Sequence, residues 1–290
     1  MAIPALNAAG PSSPTHPLEP LPKVPARRVA ILRNKASWAW AGRSLWAWPF
    51  PLAVLALWQL SAIWGWVPEQ VLPPPAAVFK VFAELLASGE LWDHLTISMV
   101  RVAGGFGIGL VLGLLLGGAM GLSPTFRDYV FPLFKAFSQV PVIGWLPLLI
   151  LLVGIDEGLK FLLIAKAALV PVAINTCQGI ENVPNRLVEV ARVYGYTRWQ
   201  MLRKVVFPAA TAPIWNGVRY GLTHAWLALV VVELLASSEG IGFLIVYGRQ
   251  LFQLDVVLAA VVAVGIVGFF IDKLLAVTEA WLLRWRKPGL

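Results

Sequence analysis

The sequence predicts an all-α membrane protein with about six transmembrane helices. Of its 290 residues, 59% are hydrophobic and 13% are charged, whereas soluble domains are about 45–50% apolar. The mean hydropathy is +0.76. Continuous apolar stretches reach about 20 residues, the length at which a helix crosses a hydrocarbon core of about 30 Å. The predicted spans are residues 47–66, 98–122, 129–155, 160–180, 213–236 and 256–283.

The first three spans have uncharged cores, and the last begins with an uncharged stretch before an amphipathic continuation. The fourth span carries Lys166, and the fifth carries Arg219, His224 and Glu233. An ionisable group at the centre of a membrane helix costs about 2.5–3.5 kcal/mol on insertion scales. Each such group therefore suggests either a partner within the protein or a functional role.

Glycines recur at every fourth residue of the second span. At that spacing they form one smooth stripe along a helix, which lets a neighbouring backbone approach closely. We expect the stripe to be a helix-packing surface, with a surface that slides during conformational change as the alternative. The stripe consists of Gly105, Gly109, Gly113, Gly117 and Gly121.

The chain divides into a tail, residues 1–46, and a transmembrane domain, residues 47–285. The tail is rich in proline and then basic, which predicts a flexible segment. Loops rich in Lys and Arg stay in the cytoplasm. The loop over 181–212 is strongly basic, whereas the loops on the opposite side hold Lys80, Lys160 and Arg249. We therefore expect the tail, both termini and the 181–212 loop to be cytoplasmic.

The composition argues against metal, redox and nucleotide sites in this chain. Cys177 is a single cysteine, and His16, His94 and His224 lack the spacing of metal ligands. No phosphate-cradling G-x-x-x-x-G-K-[ST] motif is present. We expect no catalytic residue, no metal, no bound cofactor and no nucleic-acid partner. A protein that uses ATP through this chain needs a partner to bind it.

The cytoplasmic loop contains the stretch EVARVYGYTRWQMLRKVVFP, residues 189–208. Its apolar residues predict a short amphipathic helix that ends at Gly195. A second helix is predicted to begin at Thr197 and to stop at Pro208. The result is a helix, a glycine turn and a helix. From periodicity alone, a pair of helices lying on the membrane surface is an alternative interpretation.

The spacing in this loop resembles the EAA loop of permease subunits of bacterial ABC importers. In that pattern, E-A-A is followed after three residues by G, and after nine more by I-x-L-P. The matching residues are Glu189, Ala191, Gly195, Val205, Phe207 and Pro208. The chain departs from the pattern in having Val190 after the glutamate, Val205 for isoleucine and Phe207 for leucine. The resemblance extends over residues 45–285 and is nearest to the nitrate, sulfonate and taurine branch, as in IGWLPLLILLVGIDEGLK and INTCQGIENVP.

The resemblance implies a type I importer fold with a cytoplasmic coupling-helix loop. It implies a homodimer in the inner membrane, two ATP-binding subunits that use ATP and Mg²⁺, and an extracytoplasmic binding protein. The loop would fit a groove on the ATP-binding subunit, with Glu189 oriented by Arg186, by Arg192 or by that partner. ATP-driven alternating access would then move a small anion, such as a sulfonate, taurine or nitrate.

Three residues are candidates for the translocation path: Lys166, Trp226 and Glu233. Glu233 has two open interpretations, a buried pair with Lys166 or another basic residue, and a position on the path. An ATP-independent secondary transporter or channel is the alternative function. It would leave the EAA-like loop unexplained, and the sequence shows no convincing internal repeat. A membrane-embedded enzyme would need acid and base groups clustered at one depth. Glu233, His224 and Lys166 are too scattered along the chain to indicate such a cluster.

Overall fold

The computed structural model describes residues 48–284. The predicted tail over 1–46 therefore lies outside the described residues. The chain divides into two units, residues 1–57 and 58–290, and every helix from α2 onward belongs to the second unit.

The described residues form helices joined by short turns, without a β-strand. A 3₁₀ turn over Val142–Trp145 separates α4 from α5, and a π-turn over Leu202–Val206 separates α8 from α9. The helices are α1 Pro49–Ile63, α2 Pro75–Ala87, α3 Glu90–Leu122, α4 Pro124–Gln139, α5 Leu146–Val153, α6 Glu157–Glu181, α7 Asn185–Val193, α8 Arg198–Met201, α9 Phe207–Ala236, α10 Ile241–Gln250 and α11 Leu254–Leu282.

Within residues 48–284, three segments are long and apolar enough to cross a membrane. They are Glu90–Leu122, Arg198–Gln250 and Leu254–Leu282. The segments Pro124–Gln139 and Val142–Val153 qualify only together, as one span bent by 93°. The all-α membrane class is thus confirmed. The count of six spans stays a prediction, because α1 is shorter than a span and α6 is not among the segments that qualify.

Helix α6 lies at the centre of the second unit, between α3 and α9. The glycine stripe of α3 faces α6: a Cβ added at Gly109 would lie 2.4 Å from the Ala165 carbonyl oxygen. Helix α9 also approaches α6 closely: a Cβ added at Gly221 of α9 would lie 2.8 Å from a methyl group of Val172. Val172 is fully buried and also contacts Gly113 of α3. Glycines therefore let both neighbours approach α6 closely.

The bend between α4 and α5 follows from the local sequence. Pro141 precedes the 3₁₀ turn, and the residue before it, Val140, is extended. Proline disfavours helical conformation in the preceding residue. Pro171 lies inside α6, where it leaves one backbone carbonyl without its helical donor. Such breaks at membrane depth are tolerated where protein or an aqueous cavity covers them.

Candidate functional site

The basic loop over residues 181–212 begins with a helix that ends at a glycine. α7 follows Pro184, and Gly195 has a φ of +70°. The Gly195 amide donates to the Arg192 carbonyl at 2.9 Å, and the Tyr196 amide donates to the Ala191 carbonyl at 3.0 Å. This pair of bonds is a Schellman motif, in which a left-handed residue closes the helix. The predicted glycine turn is therefore present.

The second half of the loop starts with a reciprocal cap. The Thr197 amide donates to the Gln200 side-chain oxygen at 2.9 Å, and the Gln200 amide donates to the Thr197 hydroxyl at 3.3 Å. This capping box fixes the direction of α8. The Lys204 ammonium lies 5.4 Å from the centre of the Tyr196 ring, within the range of a cation–π contact. That contact joins the turn to the helix that follows it.

Pro208 does not end a helix, contrary to the prediction from sequence. The chain passes through the π-turn Leu202–Val206 and continues as α9, with Pro208 in its first turn. Proline lacks an N–H and is tolerated in a first turn, where that donor would be unpaired. The wider π-turn changes the hydrogen-bonding pattern just before Pro208, so the helix continues through the proline without a break. The loop is consequently continuous with a long helix.

The predicted loop residues separate into a groove and an exposed tip. Ala191, Val205 and Pro208 line a groove of about 410 Å³ between α7 and the start of α9. Glu189 and Phe207 are exposed. The structure records no ion pair for Glu189 with any described residue. Large apolar side chains are also exposed at the tip: Val193, Tyr194 and Trp199. The loop thus presents an apolar surface suited to a protein partner.

Glu233 is buried and paired, and its partner is Arg101 rather than Lys166. The Arg101 guanidinium lies 2.9 Å from Oε1 of Glu233 and also donates to the Glu239 carbonyl at 2.8 Å. The Ser98 hydroxyl lies 2.8 Å from Glu233, and the Gly242 amide donates to it at 3.0 Å. Full hydrogen bonding is what makes a buried ion pair tolerable. Of its two open interpretations, the buried pair describes Glu233.

Arg101 has a second carboxylate partner, which lies at the start of α6. It donates to both oxygens of Glu157, at 2.6 and 2.8 Å, and Lys160 donates to Glu157 at 2.6 Å. Glu157 precedes the predicted span over 160–180. The hydrogen bonds from Arg101 hold the pKa of Glu157 at about 2, against the smaller raising effect of burial. One guanidinium therefore links α3, α6 and the end of α9.

Sequence reasoning did not identify Arg101 as a structural residue. A signal was present, because Arg101 lies four residues before Gly105 and continues the stripe that faces α6. Arg219 is likewise paired, with Asp272 at 2.7 Å and Glu279 at 3.0 Å. Trp226 is buried in the core, with its ring near Gly268. Glu233, like Trp226, is buried.

Lys166 lines a cleft between α6, α9 and the bend after α4. The cleft has a volume of about 570 Å³. The Lys166 ammonium donates to the Val140 carbonyl. It lies 5.2 Å from the centre of the Phe137 ring and 5.6 Å from that of Trp145. Of the three predicted path residues, Lys166 lines this cleft, whereas Trp226 and Glu233 are buried.

These features define a class of protein: a helical membrane protein whose helices bend beside a cleft and whose basic loop exposes an apolar tip. The family model described as a binding-protein-dependent transport system inner membrane component matches residues 109–284. The chain belongs to this family. It is therefore a permease of an ABC importer, a system that includes a binding protein and an ATPase.

Curated relatives match over most of the chain. An aliphatic sulfonates transport permease protein of Bacillus subtilis is 40% identical over 92% of this chain and 95% of its own length. The protein of that name in Escherichia coli is 40% identical over 82% of this chain and 90% of its own. A taurine transport system permease protein of Escherichia coli is 32% identical over 84% of this chain and 94% of its own. All three are transport permeases.

Proposed function

We propose that this chain forms the membrane pathway of an ABC importer for aliphatic sulfonates, including related compounds that carry a sulfonate group, such as taurine. The observation that carries the proposal is the 40% identity over 92% of the chain to an aliphatic sulfonates permease. The match covers the loop that would couple ATP hydrolysis to transport. It also covers the helices around the cleft, which would form the pathway for the solute. Nitrate belongs to the same substrate class by charge and is the less favoured member.

The cytoplasmic loop is proposed as the coupling element. Its turn is fixed by Gly195, its second helix is capped by Thr197, and its tip exposes Tyr194 and Trp199. A rigid, apolar projection of this kind can dock into a groove on an ATP-binding subunit. Because α8 continues through the π-turn into α9, a push on the loop is carried along a helix that lines the cleft. Exposed Glu189 is free to pair with a basic group of that subunit.

The proposed assembly holds two copies of this chain, two ATP-binding subunits and an extracytoplasmic binding protein. ATP and Mg²⁺ act in the ATP-binding subunits, and this chain binds no cofactor and catalyses no covalent chemistry. Both termini lie in the cytoplasm and the helices span the inner membrane of a bacterium. The basic composition of the 181–212 loop supports that orientation.

The test is uptake by the reconstituted system. The chain is purified with its ATP-binding subunit, placed in vesicles with the binding protein, and given radiolabelled ethanesulfonate, taurine or nitrate. Uptake of a sulfonate that requires ATP inside the vesicle supports the proposal. Sulfonate uptake that persists without ATP supports a secondary transporter. ATP hydrolysis by the assembled system without uptake of any of the three compounds excludes the proposed substrate class.

A further inference from the structure

The cleft that holds Lys166 is mostly apolar. Most of its lining comes from aliphatic side chains of α6, α9 and the bend, and the polar groups are few. Lys166 is joined by His224, Asn175 and Ser138. Binding sites for small molecules commonly combine apolar walls with a few placed polar groups. The aliphatic walls are formed by Val140, Ile143, Val170, Ile174, Leu227 and Val231.

The ammonium of Lys166 lacks a carboxylate partner among residues 48–284. Three other cations of these helices are paired: Arg101 and Lys160 with Glu157, and Arg219 with Asp272. Lys135 of α4 and Lys273 of α11 also have no recorded carboxylate partner, but neither lines this cleft. Lys166 instead meets one backbone carbonyl and the faces of two aromatic rings. An ammonium has three N–H donors, so donors remain for a ligand. Its positive charge is therefore available to an anion in the cleft.

The backbone around the cleft is broken on two sides. The 93° bend between α4 and α5 lies on one wall, and Pro171 of α6 lies on another. The amide of Asn175 donates to the Pro171 carbonyl at 2.8 Å. Lys166 is nine residues from the start of α6, about 14 Å along the helix axis, which places it well inside the predicted span. Broken helices around a cavity at mid-membrane depth are a recurrent feature of transport sites.

His224 adds a second nitrogen group to the same cleft. Its Nδ1 lies 2.8 Å from the Tyr220 carbonyl oxygen, so Nδ1 carries a proton and donates to that oxygen. Nε2 is left for a solute or for water. Together with Lys166, this gives the cleft one polar side and one apolar side. That combination matches an anion that carries a short aliphatic chain.

We propose that this cleft is a transient binding site for the transported anion. The anionic headgroup binds the Lys166 ammonium, and the aliphatic part packs against Ile143, Leu227 and Val231. The inference rests on the proposed function and deepens it, since it assigns the site within the pathway and the shape of its ligand. A single cation on a flexible side chain binds weakly enough to release the anion again, as a pathway requires.

The first test measures the charge of the cleft without relying on transport. Leu227→Cys is introduced in a Cys177→Ser background of the assembled transporter, because Leu227 is 58% exposed. Its labelling rate is measured with 2-sulfonatoethyl methanethiosulfonate, itself an alkanesulfonate, and with the neutral methyl methanethiosulfonate. Lys166→Gln and Lys166→Met should slow the anionic reagent by about tenfold, the size of local counter-ion enrichment in a charged cleft, and leave the neutral reagent unchanged. Equal slowing of both reagents, or of neither, overturns the proposal.

The second test measures transport by the same variants. Lys166→Gln should lower the maximal rate of sulfonate uptake by about tenfold or more, the effect of losing one hydrogen bond to a charged group. Lys166→Arg should keep most of the rate. The exposed Lys80→Gln is the matched control and should have no effect. Full uptake by Lys166→Gln overturns the site alone, whereas a wild-type system that hydrolyses ATP but imports no sulfonate overturns the proposed function.

Discussion

At the residue scale, the buried charge of Glu233 shows most clearly what sequence and structure each provide. The sequence identifies Glu233 as an expensive group that needs a partner or a role. It cannot choose the partner, because Arg101 is 132 residues away along the chain. Only the packing of α3 against α6 and α9 brings the two together. The pairing links α3 to the end of α9 and leaves Glu233 buried.

The Arg101–Glu233 pair gives the first prediction. Glu233→Gln leaves Arg101 buried with one carboxylate fewer, and breaking a buried ion pair costs about 3–5 kcal/mol. The apparent melting temperature of the purified chain, followed by fluorescence-detected size exclusion, should fall markedly. Lys80→Gln breaks an exposed pair with Glu84. This variant should leave the melting temperature unchanged, since such pairs contribute about 0–1 kcal/mol. Equal melting temperatures for both variants would mean that the buried pair contributes no more stability than the exposed one.

A second prediction concerns pH and Glu157. The pKa of Glu157 is lowered from its usual value near 4.5 to about 2, so its contribution to stability is complete above pH 4.5. That contribution is lost as the pH falls from there toward 2. Between pH 8 and 5, the difference in melting temperature between wild type and Glu157→Gln should be constant. Below pH 4 the difference should shrink. A difference that already changes between pH 8 and 5 would show that Glu157 is not held ionised by Arg101.

At the element scale, the glycine stripe of α3 is the feature that sequence reasoning located best. A fixed spacing of four has one geometric consequence on a helix, a smooth face, and α3 turns that face to α6. The predicted end of the second loop helix at Pro208 is wrong, because proline can also lie in the first turn of a helix. Its tolerance in a first turn, after a π-turn, depends on hydrogen bonding that the sequence does not reveal.

The stripe yields a prediction with an internal control. Gly109→Ala places a methyl group 2.4 Å from the Ala165 carbonyl oxygen, so α6 must shift, whereas a Cβ at Gly107 of the same helix meets nothing within 4 Å. Overpacking costs about 1–3 kcal/mol, and alanine in place of glycine in a helix gains up to about 1 kcal/mol. Gly109→Ala should lower the melting temperature, and Gly107→Ala should keep or raise it. The reverse order would show that the stripe is not the packing face.

The turn at Gly195 is the other element-scale prediction. Gly195→Pro cannot adopt a φ of +70°, because proline fixes φ near −65°. Gly195→Asn is the control, since asparagine tolerates the left-handed region and an added Cβ meets no neighbour within 4 Å. The proline variant should hydrolyse ATP with uptake reduced by about tenfold or more, by loss of positioning. The asparagine variant should keep both ATP hydrolysis and uptake at the wild-type rate. Uptake at the wild-type rate in Gly195→Pro would remove the turn from the coupling mechanism.

At the scale of the whole molecule, the sequence predicted the class of protein and the family because both depend on patterns that are local in the chain. Apolar length predicts spans, and the spacing from Glu189 to Pro208 indicates the loop. The cleft beside Lys166 could not be predicted in this way. It arises where α6, α9 and a bend of 93° meet, and the sequence shows only that Pro141 and Pro171 disturb their helices.

The chain belongs to a family of subunits that work within a larger transport system. The exposed apolar tip of the loop, the paired charges around Arg101 and the cleft beside Lys166 are separate features of the chain. In the proposed mechanism, they serve as a docking surface, a stable anchor and a site for the solute. Helix α6 connects the anchor to the cleft, and α9 connects the cleft to the loop.

The most direct test of this account is co-purification of the tagged chain from its native membrane after gentle solubilisation. We predict an ATP-binding subunit in a ratio of one to one, lost when Glu189 and Gly195 are substituted together and retained in Lys80→Gln. A chain that purifies without such a subunit, and whose anion flux survives depletion of ATP, would contradict the importer account. The loop would then be a pair of helices on the membrane surface.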